Sequence, residues 1–168
     1  MGLDNITDRE LMPDEWEELR RLRLRALSLH PFYFAWTAEN AAKQPEEFWR
    51  DYLSGDNKAV FGLLDRNKFI GITAVFKHRD FPDGSTADFG MTFIEPSYRG
   101  QGLSQRFYDA RINWAKAHGF SRIIVAHHVD NESSKRAILR NGFLYMNEHM
   151  HDWPDGSRAP ELVYELKL

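Results

Sequence analysis

A chain of 168 residues is the size of one domain, and 42% hydrophobic with 28% charged residues is the composition of a soluble globular one. The absence of cysteine excludes a disulfide framework, a thiolate metal site and an acyl-cysteine mechanism. A net charge of −3 is no electrostatic footprint for nucleic acid, no apolar run approaches the ~20 residues of a membrane span, and Met1–Asn5 has no signal-peptide character, so the expectation is a cytoplasmic protein with neither nucleic-acid nor membrane partners.

In chain order, residues 5–11 read as a short strand. Pro13 then opens a helix whose apolar stripe is Trp16, Leu19, Leu22, Ala26 and Leu29, at spacings of three and four. Arg20, Arg21, Arg23 and Arg25 fill the rest of that helix and read as a solvated basic face. His30-Pro31 ends it. An aromatic run, Phe32 to Trp36, leads into one helical stretch over 38–54 carrying Phe48, Trp49 and Tyr52. Strands follow at 59–64 and 68–79, joined by a turn at 65–67. A strand over 86–94 alternates Ala87, Phe89, Met91 and Phe93 against Asp88, Gly90 and Thr92.

The period turns helical from Gly102 to His118, and Gly119 is a C-terminal stop. Residues 122–128 form a near-continuous apolar strand suited to the middle of a sheet. A short helix spans Asn131 to Asn141, and strands at 143–150 and 161–167 close the chain. This order predicts an α/β (α+β) domain whose sheet mixes antiparallel and parallel pairs.

The chemistry concentrates in Phe93-Ile94-Glu95-Pro96-Ser97-Tyr98-Arg99-Gly100-Gln101-Gly102-Leu103-Ser104. A strand runs into two closely spaced glycines, and a helix follows at once. Glycine permits a tight turn and close backbone approach to a ligand, and the helix start offers unpaired N–H groups and a positive dipole end. Together they make an anion cradle suited to a diphosphate, although it lacks the lysine of a nucleotide-hydrolase phosphate loop and the three-glycine dinucleotide fingerprint.

Arg-x-x-Gly-x-(small) after a Pro-x-Tyr turn resembles the acyl-coenzyme A loop of the GNAT N-acetyltransferase superfamily. Leu22 to Leu27 resembles the family's first helix. Asn131, Ala137 and Asn141-Gly142-Phe143 resemble its late helix and following strand, and Asp155-Gly156 with Leu162 to Leu166 its closing strand. The resemblance implies one acyl-CoA N-acyltransferase domain over 1–168. Its sheet would be mixed, mostly antiparallel and six- to seven-stranded, with a splayed parallel strand pair and about four flanking helices.

It also implies acetyl-CoA as acyl donor. The coenzyme set would be Phe93, Ile94, Arg99, Gly100, Gln101, Gly102, Leu103 and Ser104, with Asn131 and Arg136 from the late helix. Histone-acetylating members keep a base glutamate where Asp88 stands, which implies Asp88 as general base, directly or through water. Many members carry an acid tyrosine where this chain has Ile138, so Ser133, Ser134 or Tyr145 would have to serve, or water.

Other candidates come from residue type. His127 and His128 point to opposite faces of one strand end, and histidine titrates near neutrality. His127, Asp88 and Ser134 are the candidate catalytic residues, and His128, Tyr33 and Trp36 the candidate acceptor-binding ones. Glu95 sits in a turn and is a weaker base. His149 and His151 share a face, but a third ligand is missing, so no metal site is expected. The predicted activity is direct acetyl transfer to a primary amine of a small molecule: an amino acid, polyamine or antibiotic-like compound. A protein lysine or N-terminal acceptor, or a non-catalytic acyl-CoA sensor, is the alternative, and a homodimer is the expected assembly.

Overall fold

The computed structural model describes residues 5–81 and 83–168. Seven strands form one sheet in the order β1-β2-β3-β4-β5-β7-β6: β1 Ile6–Glu10, β2 Lys58–Asp65, β3 Lys68–Lys77, β4 Thr86–Ile94, β5 Arg122–His128, β6 Leu144–Asp152 and β7 Arg158–Lys167. Every neighbouring pair is antiparallel except β4 and β5. Five α-helices complete the fold: α1 Trp16–Leu29, α2 Ala38–Ala42, α3 Glu46–Tyr52, α4 Ser104–Ala117 and α5 Glu132–Arg140. No helix among the described residues is long and apolar enough to cross a membrane.

The helices divide between the two faces of the sheet. Leu19, Leu22, Ala26 and Leu27 of α1 join Ala41 of α2, Trp49 of α3, Ile72, Ala74 and Phe93 in one core. Tyr108, Trp114 and Ala115 of α4 join Ile138 of α5, Phe89, Ile123, Val125 and Tyr164 in the other. Each face is covered by amphipathic helices, as an internal sheet requires.

Four sequence expectations change. The stretch over 38–54 is two helices, because Pro45 has no N–H to continue α2 and restricts the residue before it. The described residues accordingly hold five α-helices, in keeping with the expected sheet flanked by about four. Leu29, placed on the core stripe, is 40% exposed, while Arg23, placed on the solvated face, is 8% exposed; the chain after α1 folds back and sets Phe34 on the Arg23 guanidinium.

The regular alternation of β4 also fails. Ala87 and Phe89 face the α4–α5 core, whereas Met91 and Phe93 pack in the α1–α3 core. Met91 sits at φ 58° opposite a register shift in β3 between Ile72 and Ala74. That is a β-bulge, which inserts one residue and reverses the facing of everything beyond it.

Candidate active site

The parallel ladder between β4 and β5 runs from Thr86/Arg122 to Phe89/Val125 and stops, although β4 continues to Ile94 and β5 to His128. Beyond Gly90 the two strands diverge at the bulge, so β4 presents an edge that pairs only with β3. Unpaired strand edges need hydrogen-bond partners, and this wedge is where an extended ligand arm can supply them.

The far end of β4 leads into the glycine loop. Gly100 and Gly102 adopt φ +75° and +76°, and a Cβ on either would meet nothing within 4 Å. Their glycines are therefore needed for the backbone turn, and the space above them is open. The N–H groups of Gly100 to Ser104 donate to no backbone carbonyl among the described residues, whereas those of Gln105 and Arg106 donate to Gly102 and Leu103. A set of free amides at the start of a 14-residue helix is an anion site by geometry and by dipole.

Not every side chain of this segment faces the cradle. Arg99 turns back: Nε donates to the Ile94 carbonyl at 2.7 Å and Nη2 lies 2.9 Å from His30 Nε2. Leu103 is buried with Ile6, Leu63, Ile70 and Phe107, so only its backbone can reach a ligand. Gln101 leans on the Ser97 carbonyl at 3.5 Å. Phe93 is buried in the α1–α3 core and Ile94 is partly buried. Ser104 Oγ accepts from Arg140 Nη2 at 3.3 Å, so Arg140, a residue not singled out from sequence, brings a cation to the cradle.

Asp88 lies at the closed end of the wedge, still paired with Ile124 of β5. Its chain neighbours Ala87 and Phe89 face the α4–α5 core, so its carboxyl points to the opposite face, beside its cross-strand partner Phe76. Burial first, and the charge of Glu161 second, push that carboxyl up to about 7, against the pull of the Phe89 backbone. Glu161 was not found from sequence. It stands directly across from His128 on β5 and His149 on β6, so all three share the face of Asp88.

The two adjacent histidines part company. His127 lies on the α4–α5 side, with Nδ1 2.7 Å from the His128 carbonyl and Nε2 3.3 Å from Tyr164 Oη. Its ring stacks on Tyr164 at 5.4 Å, and burial holds its pKa below the ordinary value. Both nitrogens are engaged away from Asp88, so His127 does not join the catalytic group in which the sequence placed it. His128 does face Asp88's side. Its Nδ1 accepts from the Asp130 amide at 3.0 Å, and its ring meets Tyr33 at 6.0 Å and Trp153 at 4.6 Å.

Tyr33 is thus brought to the site rim, its ring stacked on His30 and tilted against His128. Trp36 instead belongs to an aromatic cluster with Phe48 and Trp49, which packs as core. Glu95 is tied to Arg25 at 3.2 Å. His149 and His151 do find the third group the sequence lacked: their ring nitrogens and a Glu161 oxygen lie within 4.8 Å of one another, with His149 Nε2 3.0 Å from Glu161.

The acetyltransferase (GNAT) family model matches residues 16–143, a span that includes the wedge, the cradle and α5. The chain belongs to the acetyltransferase (GNAT) family. It is 34% identical over 85 residues to N-alpha-acetyltransferase 30 of Schizosaccharomyces pombe, covering 49% of this chain and 55% of that one. Mycothiol acetyltransferase of Corynebacterium diphtheriae is 24% identical over 150 residues, 88% of this chain and 48% of that one. The chain spans about half the length of the curated relatives it matches. The structure of yncA from Salmonella typhimurium, solved with acetyl-CoA, superposes with a TM-score of 0.81 at 16% identity, covering 98% of this chain and 95% of that one; at that identity the likeness shows the fold.

Within this GNAT fold the late-helix residues are placed as follows. Asn131 caps α5, its Oδ1 accepting from the Ser134 amide at 3.1 Å, which leaves its Nδ2 as the group free to face a ligand. Arg136 is exposed, Ser133 is exposed and Ser134 is partly buried. Ile138 is fully enclosed in the core. Tyr145 is 53% exposed, on the edge strand, with its hydroxyl directed at Glu148.

Proposed function

We propose that the chain transfers an acetyl group from acetyl-CoA directly to a primary amine of a small molecule. The observation that carries this reading is a free-amide cradle at the open end of a strand wedge together with a carboxyl, its pKa raised to about 7, at the closed end. Acetyl-CoA, when bound, supplies the thioester. The N–H groups of residues 100–104 hold its diphosphate, assisted by Arg140, and the open edge of β4 past Gly90 pairs with its extended arm. Asn131 Nδ2 closes the arm from the β5 side, and Arg136 stands at its solvent edge.

An alkyl amine of pKa ~10 arrives protonated, and Asp88 removes that proton. A base with pKa close to the working pH is the efficient choice for this step. Glu161, close enough to raise Asp88, draws the ammonium group in, while Tyr33 and His128 wall the entry. Loss of the amine proton to Asp88 frees the nitrogen lone pair to attack the thioester carbonyl. The second proton on the attacking nitrogen passes through water to the departing sulfur, whose thiol pKa of ~8.5 lets it leave without a side-chain donor at position 138.

The amine terminus of a protein is the second acceptor class, favoured by the likeness to N-alpha-acetyltransferase 30. Release of free thiol from acetyl-CoA, measured across small primary amines and short peptides, tests both. Turnover with small amines supports the first reading, and turnover confined to peptides supports the second. Coenzyme binding with no turnover on any amine contradicts both and identifies an acyl-CoA sensor.

A further inference from the structure

Of the four arginines of α1 that the sequence places on a solvated face, three have hydrogen-bond partners. Arg20 donates to the Ala42 carbonyl, Arg21 to Glu18 and the Phe69 carbonyl, and Arg25 to Glu95. Arg23 is different. It is 8% exposed, and its Nε and Nη1 are buried with no hydrogen-bond partner among the described residues. Its guanidinium lies over the Phe34 ring at 4.6 Å. That contact satisfies the flat face of the cation but not its N–H groups, which point outward in the guanidinium plane. Burial lowers its pKa to about 10, so it remains charged at neutral pH.

Arg111 shows how a fully buried arginine finds its partners in this protein. It is 1% exposed, yet its Nε donates to the Phe107 carbonyl at 3.1 Å and its Nη1 to Thr92 Oγ1 at 3.2 Å, above Phe89 and beside Tyr108. A buried cation without such partners is strongly disfavoured and calls for a counter-ion.

The position of Arg23 says where that counter-ion belongs. Tyr52 is a neighbour of the guanidinium. The Tyr52 ring meets Phe76 at 6.1 Å, and Phe76 is the cross-strand partner of Asp88. Phe34, under the cation, follows Tyr33, which meets His128. Arg23 and Asp88 thus stand on one face of the sheet, on either side of the Tyr52–Phe76 pair, without pairing with each other.

We propose that Arg23 is an anion subsite for the acceptor: the amine that Asp88 deprotonates belongs to a molecule that also carries a carboxylate or phosphate, and this oxyanion completes the hydrogen bonding of the guanidinium. The inference rests on the acetyl-transfer reading of the same face. The planar fork of an arginine suits either oxyanion in a bidentate contact. An ammonium end near Asp88 and Glu161 and an anionic end near Arg23 would match the face charge for charge, so polyamines would be poor acceptors.

The test compares matched acceptors in wild type, Arg23→Met and Arg23→Lys. Glycine, β-alanine, γ-aminobutyrate and ε-aminocaproate are each set against the carboxamide, and phosphoethanolamine against ethanolamine, by equilibrium binding and by thiol release from acetyl-CoA. Wild type is expected to prefer the anionic member of at least one pair tenfold or more, the pair itself telling carboxylate from phosphate. Arg23→Met should lose that preference while melting no lower than wild type, because it removes an uncompensated charge. Arg23→Lys, which keeps the charge and loses the fork, should fall between.

Equal affinity for both members of every pair in wild type, or an unchanged preference in Arg23→Met, overturns the subsite. Arg23-dependent binding of an anionic amine with no thiol release supports the subsite and overturns acetyl transfer instead.

Discussion

The cradle and the face that carries Asp88 are built in opposite ways. The cradle is one run of chain, residues 99–104, whose geometry follows from two left-handed glycines and the first turn of α4. The Asp88 face is gathered from five separate segments: Arg23 on α1, Tyr33 after it, Asp88 on β4, His128 on β5 and Glu161 on β7. A contiguous site can be held by local backbone conformation alone. A gathered one depends on the strand register and on a single bulge, so it can change its ligand through any of several segments while the cradle stays the same.

Substitutions should separate the two halves, and the largest effect is expected at Asp88. Asp88→Asn removes the base and should lower kcat by about 10²- to 10⁴-fold with little change in the KM for acetyl-CoA. An equal loss of coenzyme affinity would break the division between the halves.

The same substitution should raise stability in a pH-dependent way. A carboxyl lifted from 3.8 to about 7 favours the folded state's protonated form. Its cost is absent below pH 3.8, grows as the pH rises and levels off above 7, at about 4 kcal/mol on the scale of 1.4 kcal/mol per unit. Asp88→Asn should therefore melt well above wild type at pH 8, and the gap should narrow towards pH 5. A gap constant with pH would show that Asp88 ionises as an ordinary carboxylate.

On the cradle side, Gly102→Glu forces a side chain into a left-handed conformation, costing about 1–3 kcal/mol, and adds a negative charge where a diphosphate binds. The Kd for acetyl-CoA should rise at least about 100-fold, with the pH limb of kcat unmoved. Removing the cation beside the cradle by Arg140→Ala should raise that Kd by about tenfold, the value of one charged hydrogen bond. The smallest effect is expected of His127→Asn: roughly 1 kcal/mol of stability from lost hydrogen bonds, with an unaltered pH profile. A shifted profile would return His127 to the catalytic group.

The contrast also explains what could be read from residues in order. The strand–glycines–helix run was legible because each part depends on its immediate neighbours, and Arg99 to Ser104 form the loop as expected even though Arg99 and Leu103 turn their side chains away from it. The break at Pro45 carried its own signal, a proline inside a helical stretch. Glu161 carried none, since its place opposite His128 and His149 is set by the pairing of β7 with both neighbours. Arg23 resembles its three solvated neighbours until the chain at Phe34 folds over it. The bulge at Met91 was hidden by an alternation that looked regular in sequence but reverses halfway along β4.

The central claim is that Asp88 takes the amine proton, and the pH dependence of kcat at saturating acetyl-CoA and saturating small primary amine tests it most directly, in wild type and Asp88→Asn. Wild type should rise through a midpoint near 7 and then level off. Asp88→Asn should be slow and keep rising with pH beyond 8, following the fraction of neutral amine. The same levelling near 7 in both proteins would contradict the account.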